Sequence, residues 1–243
     1  MIAVTFALPD ESDLFLKSIC DLRKISGGSL PHYSGTLNGL EITVLHTGVG
    51  EASTRARLAA FLSENRPVFL ISSGFAGALD PALKIGSLVV SLNYSSRELL
   101  EAALIYFKTH PGVYFGGLTT QTIPAESIFS KQSLADQTGA LAVDMETSVI
   151  SAACFEASIP FLSLRAISDT ANQPLPVPFA AWFDSKDQKA RPSSLLLYLT
   201  LHPGVIPDFV RFVRGVFQSK KILASRLGDL IGYLKENRVC SQL

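Results

Sequence analysis

A chain of 243 residues, 47% apolar and 17% charged, is long enough to bury one sizeable α/β core, and its equal counts of basic and acidic residues, 21 each, produce no field that would gather nucleic-acid phosphates. Cys20, Cys154 and Cys240 lie too far apart for a CxxC zinc pattern or a dense disulfide framework, which points to a reducing cytoplasm and no structural metal. The opening "MIAVTFALPDES" has no basic n-region and reads as a buried strand, not a signal peptide, and no apolar run approaches the roughly 18 residues of a membrane-spanning helix.

In chain order the pattern predicts a strand over 2–8, then a helix over 10–22 with Leu14, Ile19 and Leu22 on one side. "HYSGTLNGLEITVLHTG" reads as a hairpin turning at Asn38-Gly39, and a helix follows from Glu51 to Glu64. "VFLISSG" is a buried strand, and "SLVVSLNY" is another, introduced by the turn chemistry of "LDPALKIG". A capping box from Ser95 to Glu98 opens a helix over 97–107, which stops before His110-Pro111. Strand, helix and strand then alternate as far as Asp169. After it, "TANQPLPVP" has no periodicity and reads as a loop, followed by helices beginning near Phe179, Ser194 and Pro207. The alternation favours a three-layer α/β/α fold on a central mixed, partly parallel sheet, in which sites gather at the C-terminal ends of strands.

Three such strand ends carry chemistry. Gly48-Val49-Gly50 follows a strand and opens a helix, offering backbone N–H groups to an anion or a nucleophilic water; it has neither the third glycine of a dinucleotide fingerprint nor the Gly-Lys-Ser/Thr of a P-loop. Gly74, Phe75 and Ala76 form a second rim where a ligand approaches bare backbone. Asp169 ends an apolar strand, and with Glu11 it is the carboxylate pair suited to glycosidic cleavage: a protonated acid at the leaving group and a second carboxylate activating water. Burial at an apolar strand end is expected to keep Asp169 protonated. Asp169 also reads as a helix N-cap, and Glu11 as an ordinary first-turn acid favoured by the helix dipole. Met145-Glu146 suits ribose, the carboxylate accepting from a vicinal diol and the thioether packing on the sugar; without other motifs both are plain core and helix residues.

Taken together, "HTGVGEASTRA", "SSGFAGALDPALKIGSLVVS", "AVDMETSVISAA" and "IPFLSLRAISDTA" resemble, in order, the purine nucleoside phosphorylase and 5'-methylthioadenosine/S-adenosylhomocysteine nucleosidase superfamily, from residue 1 to about 172. Hopanoid-associated phosphorylases look closer still, on "GFAGALDPAL", "LPVP" and the tail from "LLLYLTLHPGVIPDFVRFV" to "ASRLGDLI". The resemblance implies one nucleoside phosphorylase-like domain over 1–243, with 179–243 as its helical extension, and cleavage of a purine nucleoside, adenine by preference, without redox cofactor or metal. It carries the acid at N7 onto Asp169 with Ser168, the ribose pair onto Met145 and Glu146, and the base loop onto Glu126, Ser127 and Ile128. Two departures stand out. Nucleosidases place their water-activating glutamate one position later, where this chain has Ser12, about 100° around a helix. Phosphorylases often place arginine where this chain has Ser72-Ser73, so phosphate would depend on backbone amides with Arg55 or Arg57. Phosphorolysis and hydrolysis both stay open, as does a catalytically weak nucleoside- or lipid-binding protein on the same fold.

A mean hydropathy of +0.30 and the resembled family both imply a homo-oligomer. The apolar stretch 195–217 implies either a cap over the sheet or a surface for an apolar 5' group such as that of adenosylhopane, with Arg191, Arg211 and Arg214 flanking a membrane-facing mouth.

Overall fold

The computed structural model describes residues 1–237, so Cys240 lies outside the described residues. Strand β1 (Ile2–Phe6) leads to helix α1 (Pro9–Leu16), then β2 (Cys20–Ile25) and the hairpin β3 (His32–Leu37) and β4 (Leu40–His46). Asn38 and Gly39 both adopt positive φ, 52° and 71°, the turn whose twist matches its flanking strands. Helix α2 (Glu51–Glu64) precedes β5 (Leu70–Ala78), β6 (Leu88–Ser91) and α3 (Arg97–Phe107). Then come β7 (Val113–Gly116), β8 (Leu118–Thr120), α4 (Ile128–Thr138), β9 (Ala142–Asp144), α5 (Thr147–Glu156) and β10 (Phe161–Asp169). A small hairpin of β11 (Phe183–Asp184) and β12 (Lys189–Ala190) precedes α6 (Pro192–Leu201) and the long α7 (Ile206–Glu236).

The main sheet runs β2-β3-β4-β1-β5-β10-β6-β7, with β9 added antiparallel on the end of β5 and β8 parallel to β9. β1 lies parallel to both β4 and β5, and β5 lies parallel to β10. Alternation along β1 assigns the two faces: Ile2, Val4 and Phe6 pack with residues of α1, α3 and α7, whereas Ala3 packs with residues of α2 and α5. The expected three-layer α/β arrangement on a mixed sheet is therefore observed. β10 is buried along its whole length, as a strand covered on both faces must be.

Three local expectations fail, each for a physical reason. The first helix ends at Leu16 instead of Leu22, because residues from Cys20 pair with β3 and Asp21 takes a left-handed φ of 51° that no helix continues. The Ser95–Glu98 capping box does not form: Ser96 is the N-cap, and the hydroxyls of Ser96 and Ser95 accept instead from the Phe161 and Ser163 amides of β10, at 2.8 and 3.2 Å. Near Phe179 there is only a 3-10 turn, Phe179–Ala181, before the small hairpin.

Helix α7 divides in function. Its C-terminal half buries Leu223, Leu227, Leu230, Ile231 and Leu234 in the largest core cluster, so this part is a cap over the sheet. Leu227→Ala should cost about 2–5 kcal/mol in denaturant unfolding, the range for a fully buried leucine. Leu197→Ala, at a side chain 60% exposed, should leave stability within about 0.5 kcal/mol; equal losses for the two would contradict the packing described.

Candidate active site

The C-terminal end of β1 and the middle of β5, at Gly74, meet the start of α1; β5 runs on to Ala78, so Gly74 to Ala76 are paired strand and not the open rim expected. Pro9 opens that helix, and Glu11, two residues in, turns its carboxylate back so that Oε2 accepts the Ala7 N–H at 2.9 Å and, more weakly, the Leu8 N–H at 3.5 Å. The carboxylate lies against Gly74. A Cβ built there would stand 3.0 Å from Glu11 Oε2 and 3.5 Å from Arg165 Nη1, and the backbone φ of 146° also favours glycine.

Arg165, in the middle of β10 beside Gly74, is 2% exposed. Its Nε donates to Asp144 Oδ2 at 2.8 Å, and its Nη2 donates to Ser72 Oγ at 2.8 Å and Thr147 Oγ1 at 2.9 Å. Its Nη1 is buried without a hydrogen-bond partner among the described residues. Asp144 also accepts from Thr120 Oγ1 at 2.8 Å and from both the amide and the hydroxyl of Thr147. Two residues on, Glu146 accepts the Gly50 N–H on Oε1 at 3.0 Å.

Glu11, Glu146, Arg165, Ser73, Gly74 and Phe75 are among the residues lining a cavity of about 10 Å3, room for about one water molecule. Burial raises the Glu11 carboxyl to about 7, against the pull of the Arg165 guanidinium and the two backbone N–H groups. Burial, helped by the Asp144 charge, also raises Glu146, with the Gly50 N–H opposing.

A second centre sits four residues further along β10, roughly 13 Å at strand spacing. The register with β5 shifts between Ile167 and Asp169, an irregularity that places Ser168 and Asp169 side by side at the rim. Ser168 Oγ donates to Asp169 Oδ1 at 2.6 Å and reaches the Ala76 carbonyl at 3.3 Å, and Lys131 Nζ donates to Asp169 Oδ2 at 2.5 Å. The approach opposite is close: a Cβ at Gly77 would meet Asp169 Oδ2 at 3.0 Å, so the carboxylate would have to shift slightly.

The family model of the Phosphorylase superfamily matches residues 1–115 and 92–199, most of the chain and both centres. The chain belongs to the Phosphorylase superfamily. Among its relatives, the 5'-methylthioadenosine/S-adenosylhomocysteine nucleosidase of Staphylococcus epidermidis (strain ATCC 12228 / FDA PCI 1200) is 24% identical over 211 residues, covering 76% of this chain and 92% of that one. Among solved structures, the nucleosidase of the same name from S. pneumoniae, with a transition-state inhibitor, superimposes with a TM-score of 0.73 at 16% identity, covering 96% and 99% of the two chains. Futalosine hydrolase of Helicobacter pylori strain 26695 gives 0.71 at 19% identity, covering 95% and 98%.

Within this superfamily member the sequence-predicted residues fall into two groups. Glu11, Glu146, Gly74 and Phe75 share the small cavity; Ser168, Asp169 and Ala76 share the far rim; Met145 stands half-buried beside Glu146. Glu11 itself lines the cavity, whereas Ser12 turns away, donating to the Pro9 carbonyl at 3.0 Å and meeting His46 Nε2 at 2.8 Å, where burial lowers the imidazole to about 4. Ser127 is the N-cap of α4, taking the Ser130 N–H at 3.0 Å, and both it and Ile128 are exposed. Glu126 is stitched to the segment beyond Asp169, its carboxylate accepting the Phe179 N–H at 2.6 Å.

Several expectations need correcting. The glycine loop is not an open cradle, because the Gly48 N–H is taken by the Ala7 carbonyl, the Val49 N–H by Gln188 Oε1, and the Gly50 N–H by Glu146. Arg55 is exposed and paired with Glu51, and Arg57 donates to the His46 carbonyl, so neither faces the cavity. Asp169 has a buried ammonium for company, not the apolar surround expected to hold its proton. Sequence reasoning missed Arg165 and Lys131. Arg165 had a signal, a lone charge in "FLSLRAIS", since a charge is seldom buried without a partner; Lys131 in "IFSKQSL" had none.

Because burial keeps Glu11 protonated after the unfolded chain has ionised, the folded state holds the extra proton between about pH 4.5 and 7. Stability of the ligand-free protein should therefore fall as pH rises through that window, and Glu11→Gln should flatten the slope. Urea unfolding of both proteins at about pH 5 and pH 8 measures it; an unchanged slope in the variant would show that Glu11 is ionised throughout.

Proposed function

We propose that this protein hydrolyses the N-glycosidic bond of an adenine nucleoside. The observation that carries the reading is Glu11, a carboxyl raised to about 7 at a cavity of about one water, with Glu146 in the same cavity. A base of that pKa takes a proton from water near neutrality. Glu146 accepts the ribose hydroxyls, Met145 packs on the sugar, and Asp169 with Ser168 meets the base, near the loop of Ser127 and Ile128. The C1'–N9 bond breaks with its electron pair passing to the purine, the water oxygen bonds to C1', its proton goes to Glu11, and N7 receives a proton at Asp169. The roughly 13 Å between Arg165 and Asp169 along β10 suits the length of a purine nucleoside. The names of the relatives, nucleosidases and a hydrolase, agree with this class.

The Nη1 of Arg165, without a hydrogen-bond partner among the described residues, favours a second reading, in which phosphate enters beside it and the bond is cleaved by phosphorolysis. Two further readings of ours concern surfaces. The apolar exposure of Leu196, Leu197 and Leu201 on α6 and of Val210, Val213 and Phe217 on α7 supports a 5' group that is itself apolar, as in a hopanoid-linked adenosine, taken from a membrane surface. Arg191 and Arg211 contribute less there than expected, being paired with Asp184 and Asp208. Ile123, Phe129 and Phe155, all more than 70% exposed, support a homo-oligomer.

Adenine release from adenosine, methylthioadenosine and a long-chain 5'-alkyl adenosine, each with and without phosphate, is the test. Phosphate-independent release is expected, with Glu11→Gln and Asp169→Asn each lowering turnover by about 100-fold or more. Release that requires phosphate would establish phosphorolysis, and saturable binding without release would make the protein a binder. Equal rates on all three nucleosides with no retention on liposomes would remove the apolar 5' reading, and a monomer in sedimentation at micromolar concentration the oligomer.

A further inference from the structure

Lys131, the fourth residue of α4, is 0% exposed and has no part in the reaction above. Burying an ammonium costs several kcal/mol unless its partners compensate, and a position near a helix N-terminus adds to that cost. Here all three N–H donors are matched: to Asp169 Oδ2 at 2.5 Å, to the Thr170 carbonyl at 2.8 Å and to the Gln173 carbonyl at 2.9 Å. The two carbonyls belong to the turn directly after Asp169, so one side chain fastens the acid and its exit loop to α4. The other carboxylate oxygen, Oδ1, accepts the Ser168 hydroxyl. Asp169 is thus an acceptor at both oxygens, and the nearest proton on a cationic donor is the one on Lys131.

We propose that Lys131 is the positioning residue of the base-end centre, and that it supplies through Asp169 the proton that the departing base takes up; this rests on the nucleoside-cleaving reading. An Nζ–H bond breaks as an Oδ2–H bond forms, and that proton passes from Oδ2 to N7 while C1'–N9 cleaves with its electrons entering the purine. The lysine is left as a neutral amine whose two remaining N–H bonds still hold the Thr170 and Gln173 carbonyls, so the clamp survives the transfer. Solvent returns the proton by way of the Asp169 side chain, 11% exposed at the rim.

The test compares wild type, Lys131→Met and Lys131→Arg on the best adenine nucleoside and on a para-nitrophenyl riboside, whose leaving group departs as a stable anion and needs no proton. Lys131→Met should lose about 100-fold in kcat on the nucleoside, the usual worth of a placed proton, and far less on the nitrophenyl riboside. Lys131→Arg keeps the charge, but a guanidinium does not surrender its proton, so kcat on the nucleoside stays low while the nitrophenyl riboside is still cleaved; an equal loss on both compounds would mark a merely structural role. Restoration of kcat by arginine, or wild-type kcat in Lys131→Met, would overturn the proton supply. If Lys131→Met does not fold, the arginine variant decides alone. A wild-type protein that cleaves neither compound overturns the nucleoside reading and this inference with it, which is a different result from an active enzyme indifferent to Lys131.

Discussion

A guanidinium buried in the middle of a sheet is the constraint around which this molecule is arranged. Arg165 sits on a strand covered on both faces, where a lone charge would be expelled, and what retains it is a set of partners drawn from separate elements: Asp144 at the end of β9, Ser72 on β5 and Thr147 at the start of α5. Losing one partner of a buried pair of this kind typically costs about 3–5 kcal/mol, because the other charge stays behind unpaired. The pair therefore fixes β9 against the main sheet and sets where α5 begins. Glu146, immediately before that helix, is delivered to the cavity by the same arrangement.

The two ends of the site are electrostatic opposites. At the inner end two glutamates are lifted by burial, and a single guanidinium already bound to Asp144 offsets this only in part. At the rim Asp169 faces an ammonium and a hydroxyl. The inner end thus holds two carboxyls whose charged form burial disfavours, and the rim a carboxyl whose two oxygens each accept from a donor. Burial acts visibly on Glu11, which in sequence looks like an ordinary first-turn acid.

That contrast shows what the chain makes legible. The strand end at Asp169, the Asn38-Gly39 hairpin and the span of α2 follow from local signals, turn chemistry and periodicity that act over a few residues; the strand expected to finish at Gly74 instead runs on to Ala78, because pairing with β10 carries it past the glycine. The same local signals placed the first helix too far, since pairing with β3 is a long-range interaction that outweighs propensity at residues 20–22. The glycine loop at 48–50 is read correctly as a strand-to-helix turn, but its amides are claimed by Ala7, Gln188 and Glu146, up to 139 residues away in the chain for Gln188. Lys131 was invisible for the same reason: only the fold brings α4 under the end of β10.

The C-terminal region resolves one alternative and keeps another alive within a single helix. From Leu223 onward α7 is a lid on the sheet, and Ser219 already reaches in to donate to the Ile167 carbonyl at 2.7 Å, two residues before Asp169. Toward its N-terminus the same helix turns Val210, Val213 and Phe217 to the outside, next in sequence to an α6 on which no residue is buried. A continuous helix anchored in the core at one end holds the other end stiffly, so an apolar surface is presented without being absorbed by collapse onto the sheet. Ser219 lies between the exposed and the buried parts of the helix and joins it to the strand that carries Arg165 and Asp169.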